Sequence, residues 1–196
     1  MAKPTTTFLD ELIGAALGCF ALIVGDRRAS THFDFRHPGL AGSFIAVVLS
    51  LAVQAFVPQL AGVATPSGVA SGVVILGSMV IAIQFGVAYL VLRQLGRADG
   101  IVPFMVVQNW AALFQSILAV GAIAIFGQPI VMDAGGEMAQ LTSGSIPFIA
   151  LGVVALVISV NVARLILTLR PLHVALFVIS QLATALIIPP VLGAFF

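Results

Sequence analysis

Five long apolar runs, broken only at their ends, dominate the pattern of the chain. The first extends from about Leu40 to Val57 and stops at Pro58, and the second from about Gly68 to Leu92, stopping at Arg93. The third covers about Ile101 to Phe126, with Pro103 in its first turn, where proline is tolerated. The fourth runs from about Ile146 to Leu169 and opens with Pro147. The fifth runs from about Pro171 to Ile188 and is closed by the pair Pro189–Pro190. Each run holds about 18 to 26 residues, or roughly 27 to 39 Å as helix, enough to cross a ~30 Å hydrocarbon core. A transmembrane barrel would instead show segments of about 10 residues with apolar-out, polar-in alternation. Lipid offers the backbone no hydrogen-bond partners, so each segment has to satisfy its own. The pattern therefore predicts an all-α integral membrane protein, residues 1–196 forming a single membrane domain with five transmembrane helices.

Ahead of these runs, Leu9, Leu12, Ile13, Ala16, Phe20, Ile23 and Val24 recur at helical spacing and make a broad apolar stripe. The uncharged part is only about 13 residues, a length that suits an interfacial helix better than a span. Residues 7–24 are accordingly expected to lie on or dip into the cytoplasmic leaflet, with 25–39 as a cytoplasmic linker. The alternative is a sixth span starting near Thr5, which would carry Asp10 and Glu11 into the outer part of the membrane.

Charge sets an orientation. Lys3, Arg27, Arg28 and Arg36 precede the first run, Arg93 and Arg97 separate the second from the third, and Arg164 and Arg170 mark the fourth-to-fifth junction. The connections around Pro58 to Ser67 and Gly127 to Ser145 contain no Lys or Arg, and the second holds Asp133 and Glu137. All eight basic side chains thus fall on one side, which the positive-inside bias makes cytoplasmic. The N-terminus is expected inside and the C-terminal Phe195–Phe196 outside, periplasmic in a bacterial inner membrane.

Composition agrees. Apolar residues make up 61% of the chain and charged residues 8%, against about 25% charged in a soluble domain. A net charge of +1 without a basic, aromatic-interleaved patch argues against nucleic acid as a partner. The single cysteine, Cys19, excludes an internal disulfide and reads as an apolar filler. No cleavable signal fits the first apolar stretch, because Asp10 and Glu11 stand where a basic segment belongs.

Reactive constellations are missing. The chain has no G-x-x-x-x-G-K, G-x-S-x-G, H-E-x-x-H or S-x-x-K, and its five runs hold no Asp or Glu in their interiors. The protein is therefore expected not to be an enzyme and to need no cofactor. His32, Asp34 and His37 lie in the segment GDRRASTHFDFRHP, Gly25 to Pro38. That spacing carries no strong metal signature, and the neighbouring arginines repel a cation. A solvated membrane-surface linker, its arginines on anionic headgroups and Phe33 and Phe35 in the interface, is the preferred reading.

Polar residues inside the runs are the more informative ones. At 1.5 Å per residue, Gln84, Gln108, Asn109 and Asn161 lie about 11 to 14 Å from the cytoplasmic ends, and Gln181 about 15 Å. Gln54 and Gln115 lie deeper, at about 21 Å, and Arg164 is shallower, one helical turn from Asn161. If Gln84, Gln108, Asn109, Asn161, Arg164 and Gln181 converge, they form a polar layer opening toward the cytoplasm. Either the amides hold helices together, at about 0.6 to 2 kcal/mol each, with Arg164 snorkelling to headgroups, or they line a cavity for a polar or anionic ligand. The small-residue pairs Gly68/Gly72 and Gly14/Gly18 permit close packing in both cases. Trp110 is too deep for an interfacial belt and is expected to pack internally, its indole N–H seeking a carbonyl.

The run GDRRASTHFDFRHPGLAGSF, Gly25 to Phe44, resembles the segment before the first span in uncharacterised alphaproteobacterial-type multi-pass inner-membrane proteins. The layout of five spans, a cytoplasmic N-terminus and almost no C-terminal tail is similar to that of the Yip/Yif family, without the long N-terminal domain common in its eukaryotic members. That resemblance implies a role in membrane organisation through partner binding. The expected function is a scaffold, assembly or membrane-organising subunit acting through helix–helix contacts, with membrane lipids and a homo-oligomer or membrane-protein partner around it. The alternative is a small oligomeric transporter or channel subunit with a cytoplasm-facing polar cavity.

Overall fold

Thr7 starts the first helix by reciprocal contacts: its hydroxyl accepts from the Asp10 N–H at 3.3 Å while the Asp10 carboxylate accepts from the Thr7 N–H at 3.1 Å. In the computed structural model, which describes residues 7–60, 68–132 and 139–194, helix α1 spans Phe8–Val24 and ends at Gly25, whose φ of 75° only glycine adopts without cost. A short 3₁₀ turn at Ala29–His32 leads into α2, His37–Leu60. Then follow α3 (Val69–Gln94), α4 (Ile101–Phe126), α5 (Ser145–Asn161) and α6 (Pro171–Gly193). Between α4 and α5, β1 (Ile130–Met132) pairs antiparallel with β2 (Ala139–Leu141) in a minimal ladder. Lys3, Asp133, Glu137 and Phe195–Phe196 fall outside the described residues, as does most of the connection between α2 and α3.

Among the described residues five helices, α2 to α6, are long and apolar enough to cross a membrane. The expected bounds hold closely for α3 and α4. Helix α2 continues past Pro58 to Leu60, and α6 runs through Pro189 and Pro190 to Gly193. A proline's fixed φ near −65° is itself helical. It costs one N–H bond and crowds the preceding turn, which apolar helices near their ends absorb.

The fourth apolar run ends differently from the expectation. After Asn161 the chain widens into a π-turn, Val162–Ile166, where the Leu167 N–H reaches back to the Val162 carbonyl at 2.9 Å. Thr168 then adopts a φ of 50°, a left-handed conformation that a β-branched side chain resists. Arg97 steadies this corner by donating to the Thr168 hydroxyl at 2.9 Å. Arg170 is extended, as the residue before a proline must be, and Pro171 opens α6 at its first position.

The π-turn, the 3₁₀ turn and the α3–α4 corner meet at one end of the bundle, and the described arginines belong to the three connections there. This is the basic end. The core sits in that half: Leu22, Phe33, Leu92, Val107, Leu167 and Phe177 are buried together. Edge-on aromatic contacts join Phe85 to Phe104 and Phe104 to Phe177, with centroids 6.1 and 5.2 Å apart. Helices α2 and α4 pack most extensively. The inner face of α2 carries Ser43, Ala46, Ser50 and Ala55, small residues that let the backbones approach. Toward the opposite end the helices expose Ile117, Leu118, Ile125, Ile149 and Val153.

Helix α1 lies across this bundle. Its start touches α4, Phe8 standing 5.6 Å from Trp110, a residue about 14 Å along α4 from the basic end. Its end touches α5 at Asn161, about 8 Å from Ile166, where the π-turn ends at the basic end. A helix of about 26 Å whose two ends differ by only about 6 Å in depth runs across the bundle, not along its height. Gly14 and Gly18 face the linker, where a Cβ on Gly18 would come within 2.5 Å of the Phe33 ring. The opposite face exposes Leu9, Ile13, Leu17, Phe20 and Val24. By contrast, a Cβ on Gly68 or Gly72 would meet nothing within 4 Å among the described residues.

Candidate functional site

The amides within the five long apolar helices divide into two sets. Asn109, Asn161 and Gln54 are used as ties. Asn109 Nδ2 donates to Ser43 Oγ at 3.0 Å, joining α4 to α2, while its Oδ1 is buried without a partner among the described residues. Asn161 Nδ2 donates to the Leu22 carbonyl at 2.7 Å, joining α5 to α1. Gln54 Nε2 donates to Ser50 and Ser116 hydroxyls at 3.2 and 3.1 Å, and those two hydroxyls are 2.7 Å apart. These bonds couple segments that local propensity alone would leave independent.

The second set does the opposite. Gln84 from α3, Gln108 and Gln115 from α4, and Gln181 from α6 line one cavity of about 340 Å³, with Ser159 and Gly152 of α5 opposite them and Phe104 against the core. Among the described residues none of these four amides makes a hydrogen bond, and Gln181 Nε2 is fully buried without a partner. No charged side chain lines the cavity. Leu156 on α5 and Leu182 and Ala185 on α6 belong to its lining and are exposed, so its mouth lies between those two helices. Of the expected cluster, then, Gln84, Gln108 and Gln181 meet, Asn109 and Asn161 turn away into packing contacts, and Arg164 is exposed and outside the cavity. Gln115, which depth alone separates from the others, belongs with them: it lies seven residues from Gln108, on the same face of α4.

A second cavity, about 310 Å³, opens where α1 meets the linker and is lined by Asp10, Glu11, His32, Asp34, Arg36 and Trp110, among others. Most of its charges are committed locally. Asp10 is engaged by Thr7, whose side-chain hydrogen bond holds its carboxyl below the usual value. Asp34 accepts two bonds from the Arg36 guanidinium, both at 2.8 Å, and this raises the Arg36 pKa further. Glu11 sits against the Gly42 backbone of α2, and burial, followed by the nearby Asp34 carboxylate, pushes its carboxyl up. Trp110 is 2% exposed and stacks on Phe114, but its indole N–H has no carbonyl among the described residues. No group of three His, Cys, Asp or Glu side chains among the described residues is placed to hold a metal ion. Cys19 is buried in α1, and burial pushes its thiol up to about 12.

Chemically, the glutamine cavity presents donors and acceptors in quantity but neither a nucleophile paired with a base nor a charge. Compared with models of protein families, with curated proteins and with solved structures, the chain matches none.

Proposed function

We propose that this is a non-enzymatic, multi-pass protein of the bacterial inner membrane whose working site is the glutamine-lined cavity, and that it acts as a subunit of a small transporter or channel. The single observation that carries this reading is the set of four glutamines around one space with no hydrogen-bond partner among the described residues. Leaving a buried polar group unsatisfied costs about 1–3 kcal/mol, and an apolar bilayer supplies no substitute. Gln181 Nε2 is such a group, and three half-buried glutamines without hydrogen bonds among the described residues stand around the same space, an arrangement retained most readily where water or a polar ligand meets it. The side that carries the arginines is read as cytoplasmic by the positive-inside bias. Helix α1 then lies in the cytoplasmic leaflet, its exposed Leu9–Val24 stripe in lipid.

The open mouth between α5 and α6 favours a second reading, a scaffold or assembly subunit. There a partner helix, or a second copy, would bring its own polar side chain to the glutamines. Thiol accessibility separates the two. In a Cys19→Ala background, Gln108→Cys in intact membranes should react with a small hydrophilic methanethiosulfonate if the cavity is wet. Failure to react, together with a specific disulfide between Ala185→Cys and a neighbouring chain, would replace the transport reading by the scaffold one.

A further inference from the structure

We infer that the cavity selects small, electrically neutral solutes that both donate and accept hydrogen bonds, of the amide or polyol class, and that it excludes inorganic ions of either sign. This rests on the transport reading above and narrows it.

Consider first what is absent. None of the lining residues carries a formal charge. Arg164, the one cation near this depth on the sequence, is exposed and outside the cavity. An ion taken from water into such a space would have no counter-charge, and burying an unpaired ion is prohibitive where burying a neutral, hydrogen-bonded group is not. A cation could in principle be held by a ring of carbonyl oxygens. Here the cavity offers only side-chain amides and one hydroxyl on its polar wall, too few fixed carbonyls to replace an ion's hydration shell.

Consider next what is present. Each glutamine offers two N–H donors and an acceptor oxygen. Ser159 adds a hydroxyl that does both, so the walls match a solute bearing the same two functions and mismatch one bearing only one. Selectivity of this kind is steep, because a solute lacking its hydrogen-bonding group leaves buried wall groups unpaired. Phe104, a core residue, adds an apolar wall, fit for the carbon side of such a molecule. A volume of about 340 Å³ lies at the small end of the roughly 300–1,000 Å³ common for ligand sites, and equals about eleven waters at ~30 Å³ each. The solute is therefore small.

The test uses the full chain in proteoliposomes, with osmotic swelling read by light scattering for acetamide and glycerol, and potassium and chloride flux read in parallel. The expected result is swelling faster than in protein-free vesicles for both neutral solutes, with no protein-dependent ion flux. Gln108→Leu and Gln181→Leu should each slow it by about two- to tenfold, the factor carried by one hydrogen bond of ordinary strength. Arg164→Ala should leave it unchanged, which also controls for folding. Protein-dependent chloride or potassium flux without neutral-solute flux overturns the selectivity while leaving a pathway. Absence of all flux in vesicles where Gln108→Cys still reacts with the hydrophilic reagent likewise overturns the selectivity and keeps a wet cavity. Absence of both flux and reaction overturns the cavity itself.

Discussion

Asn161 on α5 donates to the backbone carbonyl of Leu22 on α1 at 2.7 Å, across 139 positions of sequence. The acceptor lies in the last turn of α1, where helix carbonyls lack intrahelical partners; the Gly25 N–H also reaches it, at 3.2 Å. One side chain thereby ties the crossing helix to the bundle beside the core residues Leu22 and Val162. Asn161→Leu should cost about 1–3 kcal/mol, since it leaves a buried carbonyl short of a partner. Cys19 reports the loosening. Buried, with its thiol pushed up to about 12, it should react very slowly with maleimide at neutral pH in the native protein. It should react markedly faster in Asn161→Leu, and an unchanged rate would show that the bond does not hold α1 in place.

Close approach of backbones makes a second, oppositely signed pair. A Cβ on Gly39 would overlap the Asp34 backbone carbonyl and come within 2.7 Å of the Asp34 Cβ, whereas one on Gly72 meets nothing within 4 Å. Gly39→Ala should lower stability by about 1–3 kcal/mol, because backbone cannot give way as a flexible side chain does. Gly72→Ala should be neutral or stabilising by up to about 1 kcal/mol through helix propensity. Thermal unfolding of both variants in one detergent checks the pair, and equal midpoints would refute the Gly39 contact.

Glu11 makes the docking of α1 pH-dependent. Burial and the Asp34 carboxylate favour its protonated form in the folded protein more than in the unfolded one. The folded state thus binds more protons above the ordinary Glu value of 4.5, and stability falls as pH rises from there through the raised folded value. The thermal midpoint should decline across that window in the native chain. In Glu11→Gln that decline should shrink, the amide being unable to ionise; two parallel profiles would remove Glu11 as the cause.

How far the sequence discloses this arrangement depends on which coordinate is asked for. Position along a helix axis is legible: Thr7 and Gly25 bracket α1, and Ile101 and Phe126 are the observed ends of α4. Depth follows from the same count. Rotation about the axis relative to unknown neighbours does not. Gln108 and Asn109 share a depth, yet adjacent residues on a helix point about 100° apart. One therefore faces the α3/α5/α6 cavity and the other Ser43 on α2. The link between Gln108 and Gln115 was available, since seven residues return a helix to within about 20° of its starting direction. The end of α5 was not, because hydropathy continues through Leu167 and Leu169 while the backbone has already left the α-helix for the π-turn and the strained Thr168.

The glutamines supply the sharpest contrast between binding site and packing. If an amide holds helices together, replacing it by leucine removes a hydrogen bond and lowers stability. If it lines a cavity without a hydrogen bond, as Gln108 and Gln181 do among the described residues, leucine fills space with apolar volume and, at Gln181, removes the cost of a buried unpaired Nε2. Gln108→Leu and Gln181→Leu should accordingly raise the thermal midpoint, by the equivalent of about 0.5–2 kcal/mol each, while Asn109→Leu, which breaks the 3.0 Å bond to Ser43, lowers it. Opposite signs for neighbouring amides at one depth are what a functional cavity in an otherwise tied bundle demands, because sites that bind are commonly kept at the expense of stability. A fall in midpoint for both glutamine variants would mean that they are hydrogen-bonded after all, and would return them to the class of Asn109.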